Sequence, residues 1–230
     1  IPYNPKTYVC YKVNSPIIMD GKLDDLAWES TKWTDYFVDI EGNLKPKPFY
    51  KTRVKMLWDD TYFYFAVDME EPHVWAKLKQ RDTVIFKDND FEIFLDPDGD
   101  THNYYELEVN ALETEWDLIL LKPYHNASKG DKDVVVDSWD IPGLITKVHV
   151  DGTINNPKDR DKGWSVEIAI PWNALISNYR SNTPPKDGEH WKVNFSRVQW
   201  DVDIIDNKYV KTDSPEYNWV WSPQGLIYMH

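Results

Sequence analysis

Hydrophobic and polar positions alternate most cleanly between Asp88 and Ala111. Side chains point to opposite faces in turn along a strand, so Phe91, Ile93 and Leu95 share one face while Asp90, Glu92 and Phe94 share the other. Pro97, Asp98 and Gly99 supply turn chemistry. Beyond them, Tyr105, Leu107, Val109 and Ala111 form a second apolar face, backed by Glu106, Glu108 and Asn110. The pattern predicts an antiparallel hairpin of 90–96 on 103–110. Aligning the apolar sets places Leu95 opposite Tyr105, Ile93 opposite Leu107 and Phe91 opposite Val109. Glu92 then faces Glu108, and Asp90 faces Asn110. A one-residue slip would turn the apolar set toward solvent. Like charges directly opposed across a ladder are destabilising. This register therefore calls for compensation: a cation, an Arg or Lys (flanking ones included), or a polyhydroxylated ligand.

The same alternation continues along the chain. Residues 7–13 predict an opening strand, 33–38 a short strand, and 41–50, with Gly42, Pro46 and Pro48, a loop. Asp24 is placed to cap a short helix carrying Leu26, Ala27 and Trp28. Arg53 to Trp58 alternates with Val54, Met56 and Trp58 on one face; a W-D-D-T turn leads into Tyr62 to Asp68. That strand is apolar on both faces, which predicts a central position. Residues 70–87 break the rhythm and predict a loop with a helical turn. Trp116 to Leu121 is a third strand, with Trp116 assigned either to the core or to the polar face beside Asn110. A polar excursion follows over 122–143, then strands at 146–150, 164–170 and 191–200. In the second of these Trp164, Val166, Ile168 and Ile170 point inward, and Ser165 and Glu167 outward. Pro171 starts a short helix. Residues 177–190 read as loop and 201–216 as a charged insertion. Many short strands, frequent turn signals and almost no helix predict an all-β fold, a two-sheet antiparallel β-sandwich. No interior linker or repeat divides residues 1–230, so one domain is expected.

Composition narrows the function classes. The formal net charge of −13 argues against nucleic acid and anionic membrane surfaces. No run of about 18 apolar residues exists to span a membrane. Cys10 is the only cysteine, so no internal disulfide forms. The 12 Trp and 14 Tyr exceed the needs of a core this size and suggest flat stacking surfaces, for which sugar rings are one partner. The chain opens at Ile1 without Met, and a mature form is expected.

Five stretches, in order, resemble carbohydrate-binding module family 9: I-I-M-D-G-K-L-D-D-L-A-W, V-K-M-L-W-D-D-T-Y-F-Y-F-A-V, D-N-D-F-E-I-F-L-D-P-D-G-D, G-W-S-V-E-I-A-I-P-W and W-K-V-N-F-S-R-V. The resemblance covers nearly the whole chain. It implies an antiparallel sandwich that binds oligosaccharide or polysaccharide without catalysis, often beside a secreted glycoside hydrolase acting on xylan or related polymers. An extracellular or periplasmic location is expected on the same ground. The family holds a sugar between two aromatic rings. Phe86 occupies the first ring's place, where Trp is usual; Glu92 and Asn110 match the binding Glu and Asn. Glu108 replaces an Arg. The second ring is implied in a C-terminal segment beginning near His230. Arg81 is a candidate for orienting hydrogen bonds, and Trp75 and Trp219 for neighbouring stacking platforms.

Other chemistries leave weaker marks. Glu92 and Glu108, facing each other, could meet the roughly 5–5.5 Å separation of a retaining glycosidase. The D-P-D-G-D run has calcium-loop spacing, but Leu107 stands where an EF-hand requires Glu. Asp96, Asp98 and Asp100 are thus candidate ligands of a calcium site of another kind, or a plain acidic turn. Structural calcium is also implied by the family resemblance. The six His show no zinc spacing. No motif calls for another cofactor, and a third reading is a structural or protein-interaction sandwich whose sugar site has decayed.

Overall fold

A computed structural model describes residues 4–124, 134–175 and 184–230. Parts of the 122–143 excursion and of the 177–190 loop lie outside the described residues. The strands are β1 (Tyr11–Lys12), β2 (Val38–Asp39), β3 (Thr52–Trp58), β4 (Tyr62–Glu70), β5 (Asp90–Asp96), β6 (Tyr104–Asn110), β7 (Glu115–Leu120), β8 (Val135–Val136), β9 (Ile145–Asp151), β10 (Gly163–Pro171), β11 (Lys192–Gln199), β12 (Val202–Ile205), β13 (Lys208–Lys211) and β14 (Tyr217–Val220). Helix α1 spans Leu26–Glu29, and short 3-10 turns occupy Gly42–Leu44, Ile85–Lys87 and Trp172–Ala174.

Two large sheets face each other. One has the order β1-β3-β4-β10-β9, the other β2-β14-β11-β5-β6-β7-β8. Pairing is antiparallel throughout the described residues except between β1 and β3. β4 lies at the middle of its sheet, as its two apolar faces require. The inward residues interdigitate: Val54, Met56, Phe65, Val67, Trp164, Val166, Ile168 and Ile170 from one sheet meet Phe91, Ile93, Leu95, Leu107, Val109 and Phe195 from the other. Phe195 is the hub, with ring centroids 5.9 Å from both Phe65 and Phe91. Val193, which shares the inward parity of Phe195 along the 191–200 strand, is half-buried at the margin.

The β5–β6 register is the one that hydrophobic patterning predicts: Leu95 opposite Tyr105, Ile93 opposite Leu107, Phe91 opposite Val109, Glu92 opposite Glu108, Asp90 opposite Asn110.

Several expectations need correction. The opening strand shrinks to two exposed residues, because its only partner is the edge strand β3. The 33–38 strand shifts to Val38–Asp39, where β14 offers a partner. The residue at the α1 N-cap is Asp25, not Asp24, and its side chain instead accepts the Ile18 N–H at 2.9 Å. The charged insertion folds as the hairpin β12–β13, turning at Asp206 and Asn207, both with positive φ.

Glu167 points outward as predicted, yet it is fully buried. The segment before α1 roofs it. Trp28 Nε1–H donates to Oε1 at 2.8 Å, and the Asp20 and Gly21 N–H groups donate to Oε2 at 2.9 Å each. Gly21 is required there: φ is +83°, and a Cβ would lie 2.6 Å from the His149 nitrogen. Glu167→Ala strands two buried donors, the Gly21 N–H and the Trp28 indole, each costing roughly 1–3 kcal/mol, and a part-buried third at Asp20. Chemical denaturation should show a loss of about 3 kcal/mol or more for Glu167→Ala and a much smaller loss for Glu167→Gln.

Candidate functional site

The outer face of the seven-stranded sheet carries the candidate residues. Register and alternation bring Asp90, Glu92 and Phe94 of β5 beside Glu106, Glu108 and Asn110 of β6. Trp116, Leu118 and Leu120 of β7 flank them on one side, and Asn194, Ser196 and Val198 of β11 on the other. The two assignments weighed for Trp116 are thereby resolved. It lies on the polar face, opposite Glu108 rather than beside Asn110.

Phe86 sits on the 3-10 turn just before β5 and leaves 36% of its surface exposed. Its backbone is fixed at both ends. The N–H donates to Glu108 Oε2 at 2.9 Å, and the carbonyl accepts the Trp200 indole N–H at 2.8 Å. Trp200 went unnoticed in the sequence, although it shares the outward parity of Asn194 and Ser196. Lys211 of the β12–β13 hairpin lies 3.6 Å over its ring and donates to the Lys87 carbonyl. Tyr124 adds a partly exposed ring. His230 packs 4.5 Å from that ring, in edge contact, and its Nδ1 lies 2.9 Å from the Tyr104 hydroxyl.

Beneath these rings the carboxylates are buried: Asp90 0% exposed, Glu92 4%, Glu106 4% and Glu108 2%. Burial pushes the Glu92 carboxyl up to about 7, opposed by the nearby Ser196 hydroxyl. Burial, reinforced by neighbouring carboxylates, raises Asp90, Glu106 and Glu108 as well. The retaining-glycosidase pairing of Glu92 and Glu108 meets an obstacle here, since both groups lie beneath the surface that a glycosidic bond would have to reach.

Asn110 is also buried, and its carboxamide is fully engaged. It donates to the Leu78 carbonyl and to Asp88, and accepts from the Leu112 and Thr114 N–H groups. It therefore organises the loop around Leu78 instead of facing a ligand.

Three expected neighbours belong elsewhere. Arg81 is bound to Glu115, Asp117 and Asp140, and the first two project from the β7 face opposite Trp116. Trp75 is buried at 2% exposure and Trp219 at 1%, so neither offers a ring face to solvent. Trp219 points inward from β14, where the buried Arg197 guanidinium lies 5.3 Å over its ring. Arg197 in turn pairs with Glu71 at 3.0 Å and bonds Thr52 and the Glu70 carbonyl. Asp96, Asp98 and Asp100 do converge within 4.8 Å. Asp96, however, already accepts the Gly99 and Thr101 N–H groups, and Asp100 accepts that of His102.

A two-sheet antiparallel sandwich with an aromatic-rimmed face on its larger sheet is the class that fold and site define. The chain belongs to the family described as carbohydrate family 9 binding domain-like, whose sequence model matches residues 18–222. Its fold is similar to that of a family 9 carbohydrate-binding module from Caldicellulosiruptor kristjanssonii, solved with cellotriose. That similarity has 18% identity and a TM-score of 0.52, over 91% of this chain and 82% of the other. The glucose complex from the same organism gives 18% and 0.52, over 90% and 83%. A Bacteroides uniformis protein named as carbohydrate-binding shares 16% identity with a TM-score of 0.65, over 97% and 93%. At these identities the likeness is one of fold. No curated protein sequence matches the chain significantly.

A buried carboxyl held above its ordinary range binds its proton more tightly folded than unfolded. Stability is then highest below the unfolded value and falls as pH rises toward the folded one. In chelator-treated protein, unfolding midpoints should drop from pH 5 to pH 8, and Glu92→Gln should shrink that drop.

Proposed function

We propose that the protein binds an oligosaccharide fragment of a plant-type polysaccharide on the outer face of its seven-stranded sheet, without catalysis. Phe86 carries the reading. Its backbone is tied to Glu108 and Trp200 while its ring stays open to solvent. A platform held in place before the ligand arrives loses little freedom on binding. Trp116 and Tyr124 border the same face. The family match and the sugar complexes of structural relatives support this assignment. Work beside a secreted glycoside hydrolase in polysaccharide breakdown, outside the cell or in the periplasm, is the setting in keeping with that role.

A concavity of about 560 Å³ lies along the five-stranded sheet between Lys22, Trp33, Tyr36, Arg53, His149 and Trp164. It is less suited to stacking. Arg53 and Lys55 lie 4.2 and 4.4 Å over the Trp33 ring, and Trp164 is buried.

A ring stacked on an aromatic contributes on the order of 1 kcal/mol. Calorimetric titration with cellotriose should therefore show affinity weakened about five-fold or more by Phe86→Ala. The melting temperature should barely move, because the ring is outside the core. A large drop in melting temperature with unchanged affinity would make Phe86 a packing residue. Absence of binding to any gluco- or xylo-oligosaccharide at millimolar concentration would favour a sandwich whose sugar site has decayed.

A further inference from the structure

Three lysines gather at the edge of the Phe86 turn. Lys87 follows Phe86 in the chain, and the next residue, Asp88, accepts the Lys77 backbone N–H at 2.7 Å. Lys211 reaches the same place from the β12–β13 hairpin. Its ammonium donates to the Lys87 carbonyl at 2.7 Å and lies 3.6 Å over the Trp200 ring, whose indole N–H holds the Phe86 carbonyl. Lys77 Nζ lies 5.6 Å over the Trp75 ring. Burial is the main influence lowering the Lys211 pKa; Asp88 and Glu216 oppose it, and Lys77 and Lys87 reinforce it. Asp88 is itself buried, and its Oδ2 is occupied by the Lys77, Leu78 and Asn110 N–H groups. Among the described residues none of the three lysines forms an ion pair, although acids outnumber bases 39 to 26 along the chain. Free carboxylates are thus plentiful elsewhere, yet these ammonium groups stand without one beside the exposed ring.

We propose that the sugar bound at Phe86 carries a carboxylate, as a uronic acid does, and that Lys211, flanked by Lys77 and Lys87, receives it. This rests on the sugar-binding reading of the same face and names the ligand's chemical class. A lysine ammonium has three donors, and the Lys87 carbonyl takes one of those on Lys211. The remaining donors are available to a carboxylate. The indole beneath and the carbonyl beside it fix the long side chain in advance, so little freedom is lost when the ligand arrives. A ring resting on Phe86 lies one residue along the turn from the carbonyl that holds this ammonium. The acids beneath the face do not repel such a ligand strongly. Burial raises Asp90, Glu92, Glu106 and Glu108 toward their neutral, protonated form. On a chain of net charge −13, a local basic edge is also what lets an anionic sugar approach this face in preference to others.

The test is calorimetric titration of the whole chain at about pH 6, where a sugar carboxylate is ionised and Glu92, pushed up to about 7, is mostly protonated. The probes are xylotriose bearing a glucuronic acid branch and the same oligosaccharide with its carboxylate reduced to the alcohol. The acid should bind about five-fold tighter, the upper end of what an exposed ion pair contributes. Raising sodium chloride from about 20 to about 200 mM should shrink that advantage by screening, without weakening the reduced probe. Lys211→Gln should remove most of the advantage. Should that variant fail to fold, the Lys77→Gln, Lys87→Gln double variant should still diminish it. Equal affinity for the two probes overturns the proposal and leaves neutral sugar binding standing. Binding of neither probe overturns it together with the reading on which it rests. An advantage undiminished in folded Lys211→Gln overturns it as well, and so does one undiminished in the double variant.

Discussion

The register of β5 on β6 is the constraint on which the site depends. Burying Phe91, Ile93 and Leu95 against Leu107 and Val109 admits no one-residue slip. The same pairing stacks Glu92 against Glu108 and sets Asp90 and Glu106 beside them on the outer face. Apolar packing thus forces an electrostatically unfavourable arrangement, and the surrounding structure is arranged around it. Backbone N–H groups of Phe86 and Val198 reach two of the acids. Leu118, Leu120 and Tyr104 pack beside them as a small separate cluster. Glu108 then holds the turn that presents the Phe86 ring.

Most of the fold was legible in the amino-acid pattern because the core is made by strict two-residue alternation. The hairpin register, the central position of β4 and the inward face of β10 all follow from it. What escaped was set by segments distant in sequence. Glu167 reads as solvent-facing, and only the fold brings Trp28, Asp20 and Gly21 over it. The β12–β13 hairpin reads as a charged insertion because its short strands pair only with each other.

The site was legible in part, and for the same reason. Glu92 and Glu108 come together as strand parity requires, and Phe86, on the turn before β5, lies where the family resemblance placed it. Asn110 shares their face, but its four hydrogen bonds go to the Leu78 carbonyl, 32 residues away, to Asp88, and to the Leu112 and Thr114 N–H groups. Trp219 was weighed as a platform for its chemistry alone; the buried Arg197 that covers it is visible only in three dimensions. Conversely, Trp200 carries the outward parity of its strand, so a stricter use of alternation finds it. Aromatic richness by itself does not separate core from platform here. Trp28, Trp75 and Trp219 are interior, whereas Phe86 is open.

The central claim is that sugar is bound on the outer face of the seven-stranded sheet. Nuclear magnetic resonance of the tryptophan indole N–H groups during a cellotriose titration tests it directly. The account predicts shifts at Trp200 and Trp116, which border Phe86 and Glu108, with Trp28, Trp75 and Trp219 unmoved. Shifts confined to Trp33 and Trp164, on the five-stranded sheet, would contradict it.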